Sequence, residues 1–325
     1  MTSPFDGHEV EKHLRPNAGD LAFDLDRALS SLVVLRAKVP EDAFTAQTLG
    51  TERLGNAIVI SESGLVLTIG YLITEADDVT LTGNDGRSVA AHALGVDAVT
   101  GFGLLQALEP LDLPSLSIGD SRKLESDDEV IVAGGGGRSH TVAGHLIARA
   151  PFAGYWEYLL DEALFTGPGH PHWSGAALIG PTGSLMGVGS LQMNQEGPGG
   201  HIQTINMSVP IELLPPILDD LARGRPAHDP RPWLGVYAHD SEGAVVVMDV
   251  STGGPADRAE VRGGDVVLAV GGHGVANLAE FYTRLWALGP AGVTAPLRLQ
   301  REGDVFDVMV KTSDRAARMK KRRFN

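Results

Sequence analysis

Two histidines one residue apart, His170 and His172 around Pro171, are a candidate pair of metal-capable side chains. In an extended segment both imidazoles would point to one side, as zinc ligands can. No third ligand accompanies them, so a polar loop is the plainer expectation. A second pair, His8 and His13 in HEVEKH, has the composition of a metal-binding helix with one residue too many. Positions five apart lie about 140° around a helix, and that pair is set aside. The glycines at 134–137, ahead of Arg138, could cradle a phosphate with their N–H groups. They lack a following helix or Lys-Ser/Thr, which makes a hairpin turn the expectation. With no cysteine in the chain, thiol catalysis, disulfides and Cys-ligated metals are excluded. The expectation is a protein with no metal and no cofactor.

Charge narrows the function classes further. The net charge is −15, which argues against a general nucleic-acid binder, since such proteins present a basic face. Basic residues nevertheless gather at the end: residues 313–325 hold Arg315, Arg318, Lys320, Lys321, Arg322 and Arg323 against one acid, Asp314. A solvated, mobile basic tail is expected there. Residues 1–20 contain no apolar stretch of signal-peptide length, and no later run approaches a membrane span of about 20 residues. A cytoplasmic protein without an integral membrane segment is the resulting expectation.

The elements that must position any site are short strands. Abundant glycine and few long helical patterns point to a mainly β chain. After a flexible segment at 1–22, strands are expected at 32–35, 57–60, 65–69, 79–81, 89–94 and 101–108, with a hairpin turn at 83–86 (GNDG). Six strands suffice for one small barrel. A Pro/Asp/Ser-rich connector leads to a second set at 129–133, 141–148, 155–165, 175–179, 185–191 and 201–209. Tyr155, Trp156 and Tyr158 fall on an apolar strand and read as packing residues, with a peptide groove the sharper alternative. Residues 212–223 read as a helix, with Leu213, Ile217 and Leu221 four apart. The Pro/Arg-rich stretch 223–232 reads as a linker. Beyond it, 233–312 forms a compact module with one apolar helix at 278–288. The barrel domain thus spans 23–222, its two barrels at about 30–115 and 118–210.

Two stretches carry a family likeness. GNAIVISESGLVLTIGYLITEADDVTLTGNDGR is similar to the HtrA/Deg serine-protease pattern. There, a strand, a Gly turn and a strand ending in Leu-Thr deliver Asn-Asn-His-Val-Val. Leu67, Thr68, Ala76, Val79 and Asp85-Gly86-Arg87 match, and the catalytic histidine falls on Tyr71. DAVTGFGLLQAL resembles the strand carrying the triad aspartate, which falls on Gly101. The nucleophile loop, Gly-Asn-Ser-Gly-Gly in the family, reads His172-Trp173-Ser174-Gly175-Ala176. Ser174 keeps the nucleophile position, while His172 stands at the oxyanion-hole position. The C-terminal module resembles a PDZ domain: Trp233-Leu234-Gly235-Val236 matches the carboxylate-binding loop, and GGPADRAEVRGGDVVLAVGGHGVANLAEF matches the run that follows. The resemblance implies a trypsin-like double β-barrel followed by a PDZ domain, and a homo-oligomer, commonly a trimer.

The substitutions shape the expected chemistry. A serine hydroxyl needs a base within hydrogen-bond reach, and the base needs orienting. Tyrosine titrates near pH 10, so roughly one in a thousand is ionised at neutrality, and apolar neighbours reduce that further. Gly101 has no side chain with which to orient anything. Losing Ser or His costs a serine protease about 10⁶ in turnover. His140, His145, His170, His172, His201 and Lys123 are alternative bases, none favoured by spacing. On this reading the chain is expected not to be an enzyme. It would instead be an inactive scaffold that binds protein or peptide C-termini through Trp233, Leu234, Gly235 and Val236, with Phe281 and Leu285 forming the other wall. An active endopeptidase with a rearranged site around Ser174, or a structural subunit of a larger complex, are the alternatives.

Overall fold

The computed structural model describes residues 9–196, 200 and 202–320. His8 and His201 lie outside them. The described residues divide into two compact units: 9–150 with those of 162–227, and Pro151–Asp161 with His228–Lys320.

The first unit is built from two closed six-stranded antiparallel barrels. Strands β1 (Leu32–Lys38), β2 (Glu52–Val59), β3 (Leu65–Ile69), β4 (Asp78–Thr82), β5 (Ser88–Val96) and β6 (Phe102–Ala107) close in the order β1-β2-β3-β6-β5-β4. Alternation decides their faces: on β5, Val89, Ala91 and Ala93 are buried between more exposed neighbours. The β4–β5 hairpin turns at the GNDG sequence, where Gly86 has φ +82° and donates to the Gly83 carbonyl. The second barrel contains β7 (Glu129–Ala133), β8 (Thr141–Gly154), β9 (Tyr158–Gly167), β10 (Ala177–Ile179), β11 (Leu185–Glu196) and β12 (Ile202–Pro210), in the order β10-β11-β12-β9-β8-β7. Val130, Val132, Leu146, Leu164, Leu178 and Met186 fill its core. The glycine run at 134–137 links β7 to β8. Its N–H groups go to protein partners: Gly135 donates to Asn56 Oδ1 and Gly136 to Asn84 Oδ1.

Two sequence expectations change here. The helix expected at 212–223 is split into a 3₁₀ turn, Ile211–Leu213, and a short helix, Leu218–Ala222. Pro215 and Pro216 sit between them, removing two N–H donors where a continuous helix would need them. The strand expected from Tyr155 begins only at Tyr158, because Tyr155, Trp156 and Glu157 form the β8–β9 turn. Glu157 takes the left-handed conformation, at φ +61°.

The second unit is a five-strand sheet path, β13 (Val236–Ser241), β14 (Ala244–Val250), β15 (Val266–Val270), then β17 (Thr294–Arg301) and β18 (Asp304–Lys311); the short β16 (His273–Gly274) pairs with β15. The helix Leu278–Trp286, capped by Asn277 accepting from the Glu280 N–H, packs Leu278, Phe281, Tyr282 and Leu285 into the core with Leu234, Val245 and Leu297. The expectation of a mobile basic tail is corrected for its described part. Arg318 donates to the carbonyl oxygens of Gly253 and Thr252 at 2.6 and 2.8 Å and stacks on the Trp233 ring. Those contacts dock the segment at Arg318, whereas residues 321–325 lie outside the described ones.

Candidate active site and peptide site

Ser174 lies between the two barrels of the first unit, and the loop around it is held from β2. Asn56 donates through Nδ2 to the carbonyl oxygens of His172 and Ser174, at 2.8 and 3.1 Å, and its backbone N–H donates to the Ser174 carbonyl at 2.8 Å. The same side chain accepts from Gly135 of the second barrel, and Thr68 Oγ1 donates to the Asn56 carbonyl at 2.7 Å. Asn56 is 1% exposed, and every one of these bonds replaces water that the buried amide would otherwise need. Gly175 completes the fit: at φ +72°, any Cβ there would meet the Asn56 carbonyl oxygen at 2.0 Å.

Tyr71 reaches Ser174 directly. The two hydroxyl oxygens are 2.8 Å apart, and Tyr71 Oη is also 2.8 Å from the Ser190 carbonyl oxygen. The carbonyl can only accept, so Tyr71 spends its one hydrogen there. Ser174 must then donate to Tyr71. The hydrogen-bond chain runs Ser174 to Tyr71 to the Ser190 carbonyl. Enclosure raises the Tyr71 phenol to about 12, the hydrogen bonds from Ser174 and Trp173 pulling weakly the other way.

The Tyr71 backbone is braced by Arg53, which donates to the carbonyl oxygens of Tyr71 and Thr74 and to Thr45 Oγ1. Thr45 and Phe44 in turn donate to the Glu75 carboxylate. Burial lowers the Arg53 guanidinium, and the Glu75 charge counters it. The Gly101 carbonyl accepts from the Gly70 N–H, at the start of this turn, at 2.7 Å; Gly101 brings no functional group to Tyr71.

His172 does not direct its N–H at the space in front of Ser174. That N–H donates to His170 Nδ1 at 3.0 Å, and His170 Nε2 faces the His140 carbonyl at 2.9 Å. With Nδ1 accepting, Nε2 carries the proton. Burial lowers His170 to about 4, the carbonyl contact opposing and the neighbouring His172 and His140 adding to the shift. His170 is therefore a neutral structural acceptor. Among the described residues no group of three or more His, Cys, Asp or Glu side chains gathers as metal ligands do.

In the second unit the PDZ loop residues are placed together, but less openly than expected. Leu234 is fully buried, and so are Phe281 and Leu285, all three in the domain core. That corrects the expectation of Phe281 and Leu285 as a groove wall: at four-residue spacing they form the helix face turned to the sheet. Trp233 pairs through its backbone with Ser313, and its ring lies over Gly235, which has φ +77°.

Comparison with known proteins agrees with this architecture. The trypsin-like peptidase domain family matches residues 55–188 and the PDZ domain family residues 232–312. The "Probable periplasmic serine endoprotease DegP-like" of Halomonas elongata is 27% identical over 278 residues, covering 80% of this chain and 56% of the relative. The protein of the same description from Chlamydia pneumoniae is 26% identical over 277 residues, covering 80% and 54%. The chain therefore spans just over half the length of these relatives. In fold it is similar to the serine endoprotease from Yersinia pestis, with TM-score 0.52 and 23% identity over 91% of this chain and 99% of that one. It is likewise similar to the HtrA-type protease AlgW with decapeptide, with TM-score 0.54 and 19% identity over 90% and 97%.

A trypsin-like double barrel followed by a PDZ domain, with DegP-like relatives, makes the architecture of this chain similar to that of HtrA-type proteases. Two expectations fall at the same point. The relatives are named serine endoproteases, which overturns the expectation that the chain is not an enzyme. They are also named periplasmic, which overturns the cytoplasmic default. Among the described residues no helix is long and apolar enough to cross a membrane.

Proposed function

We propose that this protein recognises polypeptides, capturing C-termini at its PDZ domain and peptide segments beside Ser174, and that it hydrolyses peptide bonds through Ser174 with Tyr71 as proton acceptor. The carrying observation is the 2.8 Å contact between the two hydroxyls, with the Tyr71 hydrogen committed to the Ser190 carbonyl. A neutral phenol that has already placed its proton elsewhere is a poor base, so Ser174 gives up its proton to the phenolate form. With the phenol at about 12, roughly one molecule in 10⁵ is in that form at pH 7. Cleavage is accordingly slow at neutrality and rises tenfold per pH unit, while binding is not so limited. The relatives' description as serine endoproteases supports the reaction class, and the PDZ match supports C-terminal recognition. A homo-oligomer, trimeric by resemblance, belongs to the same proposal.

The test is casein turnover by the whole chain at pH 7 and pH 9.5, beside Ser174→Ala. The proposal expects Ser174-dependent cleavage about three hundredfold faster at the higher pH. Cleavage that survives Ser174→Ala, or is equal at both pH values, contradicts it.

A further inference from the structure

Glu157, at the tip of the β8–β9 hairpin, belongs to the same compact unit as the PDZ sheet. Its carboxylate accepts from three consecutive backbone N–H groups: Gly235 at 2.7 Å, Val236 at 3.1 Å, and Leu234 at 3.1 and 3.2 Å to its two oxygens. These are the N–H groups with which such a loop would hold a peptide's terminal carboxylate. Two residues back along the hairpin, the Tyr155 carbonyl accepts from the Ala238 N–H at 3.1 Å. Two residues back on one chain thus corresponds to two forward on the other. That is antiparallel pairing onto β13, an edge strand of the sheet. A peptide that adds to this edge and ends at the loop would make the same pairing.

The helix side holds the segment too. Tyr282 donates its hydroxyl hydrogen to the Gly154 carbonyl at 2.8 Å and accepts from the Glu157 N–H at 3.3 Å. Ala153 and Leu159 pack against the domain core from either side of the turn. Glu157 itself sits at φ +61°, a left-handed conformation that side-chain-bearing residues adopt only at a cost. The contacts at the loop and edge are what that cost is set against. Removing the carboxylate from water raises Glu157 to about 7, while the Leu234, Val236 and Gly235 N–H groups and Arg315 hold it down.

We infer that the hairpin segment Gly154–Glu157 is an internal ligand of the PDZ domain, its Glu157 side-chain carboxylate occupying the place of a peptide's C-terminal carboxylate, so that protein C-termini bind by displacing it. The inference rests on the reading of this domain as a C-terminus binder. Its chemistry selects the competitor: an extended chain ending in a free carboxylate, since an amidated end brings neither the charge nor the second oxygen to the three N–H groups.

The experiment uses the whole chain as wild type, Glu157→Ala and Glu157→Gln. The probes are decapeptides with each of the twenty residues at a free C-terminus, and the same peptides amidated. Backbone hydrogen exchange at Leu234–Val236 and Ala238 is followed alongside peptide titration, with the barrel amides reporting that each variant is folded. Expected in Glu157→Ala is faster exchange at these amides by tenfold or more without peptide, and at least tenfold tighter binding of free-carboxylate peptides. Glu157→Gln should fall between, and amidated peptides should bind none of the three. Unchanged exchange and unchanged affinity in folded Glu157→Ala overturn the internal ligand. If exchange rises as expected but no peptide binds any variant, the internal ligand stands and the peptide reading of the domain fails.

Discussion

Ser174 Oγ lies 2.8 Å from Tyr71 Oη, and the phenol passes its own hydrogen to the Ser190 carbonyl oxygen at the same distance. The direction of that chain matters more than its length. A histidine in the same place would receive the serine proton on a free lone pair. Tyr71 can receive it fully only after giving up its own, and enclosure makes that ionisation harder.

The loop glycine is the first place to perturb the site without touching its chemistry. Gly175→Ala places a Cβ 2.0 Å from the Asn56 carbonyl at a left-handed φ, so either strand β2 or the 172–175 loop must shift. We expect a loss of about 3 kcal/mol or more in denaturant unfolding and slower labelling of Ser174. A variant as stable as wild type would mean that the barrel contact at Asn56 is not rigid.

His170 makes stability depend on pH. Its folded value, about 4, lies below the unfolded value near 6.5. Its contribution is therefore fully present above about pH 6.5 and is lost as pH falls through 4, because the unfolded chain binds the proton more readily. The limit is about 3 kcal/mol for a shift of this size. Equilibrium unfolding between pH 7 and 4, compared with His170→Gln, should show a shallower fall in the variant; parallel curves would refute the assignment.

Arg53 acts on the site through the Tyr71 backbone. Arg53→Met keeps much of the stem but leaves the Tyr71 and Thr74 carbonyls and the Glu75 carboxylate short of a donor or charge. A buried carboxylate deprived of its partner costs about 3 kcal/mol. We expect that loss in thermal or denaturant unfolding of the first unit. A loss below about 1 kcal/mol would show that the turn at 70–75 is held by other contacts.

Period-two alternation made strands such as β5 legible in the sequence, and the GNDG turn placed the β4–β5 hairpin. Ser174 and Tyr71 were found through motif order, and the structure does bring them together. What could not be read were the partners that decide their roles. The Ser190 carbonyl is 119 positions from Tyr71, and a backbone acceptor leaves no mark on sequence. Asn56 had a signal, a lone amide inside the apolar run LGNAIVI, but its partners lie 116 and 118 residues away. Glu157 fell within a stretch read as strand. The left-handed turn that carries it to Gly235 is held by contacts 77 to 79 residues distant, and by Tyr282 more than 120 residues away. The stripe at Phe281 and Leu285 was visible, but spacing alone does not tell a groove wall from a core face.

The central claim is that Ser174 reacts through ionised Tyr71, and the rate at which a fluorophosphonate labels Ser174 between pH 6 and 11 tests it most directly. Ser174→Ala supplies the blank, and Tyr71→Phe removes the acceptor. The account predicts wild-type labelling that climbs about tenfold per pH unit across the whole range without a plateau, because the phenol titrates at about 12, and a Tyr71→Phe variant that loses this climb. A wild-type profile that levels off near pH 7, or one that Tyr71→Phe leaves unchanged, would contradict it.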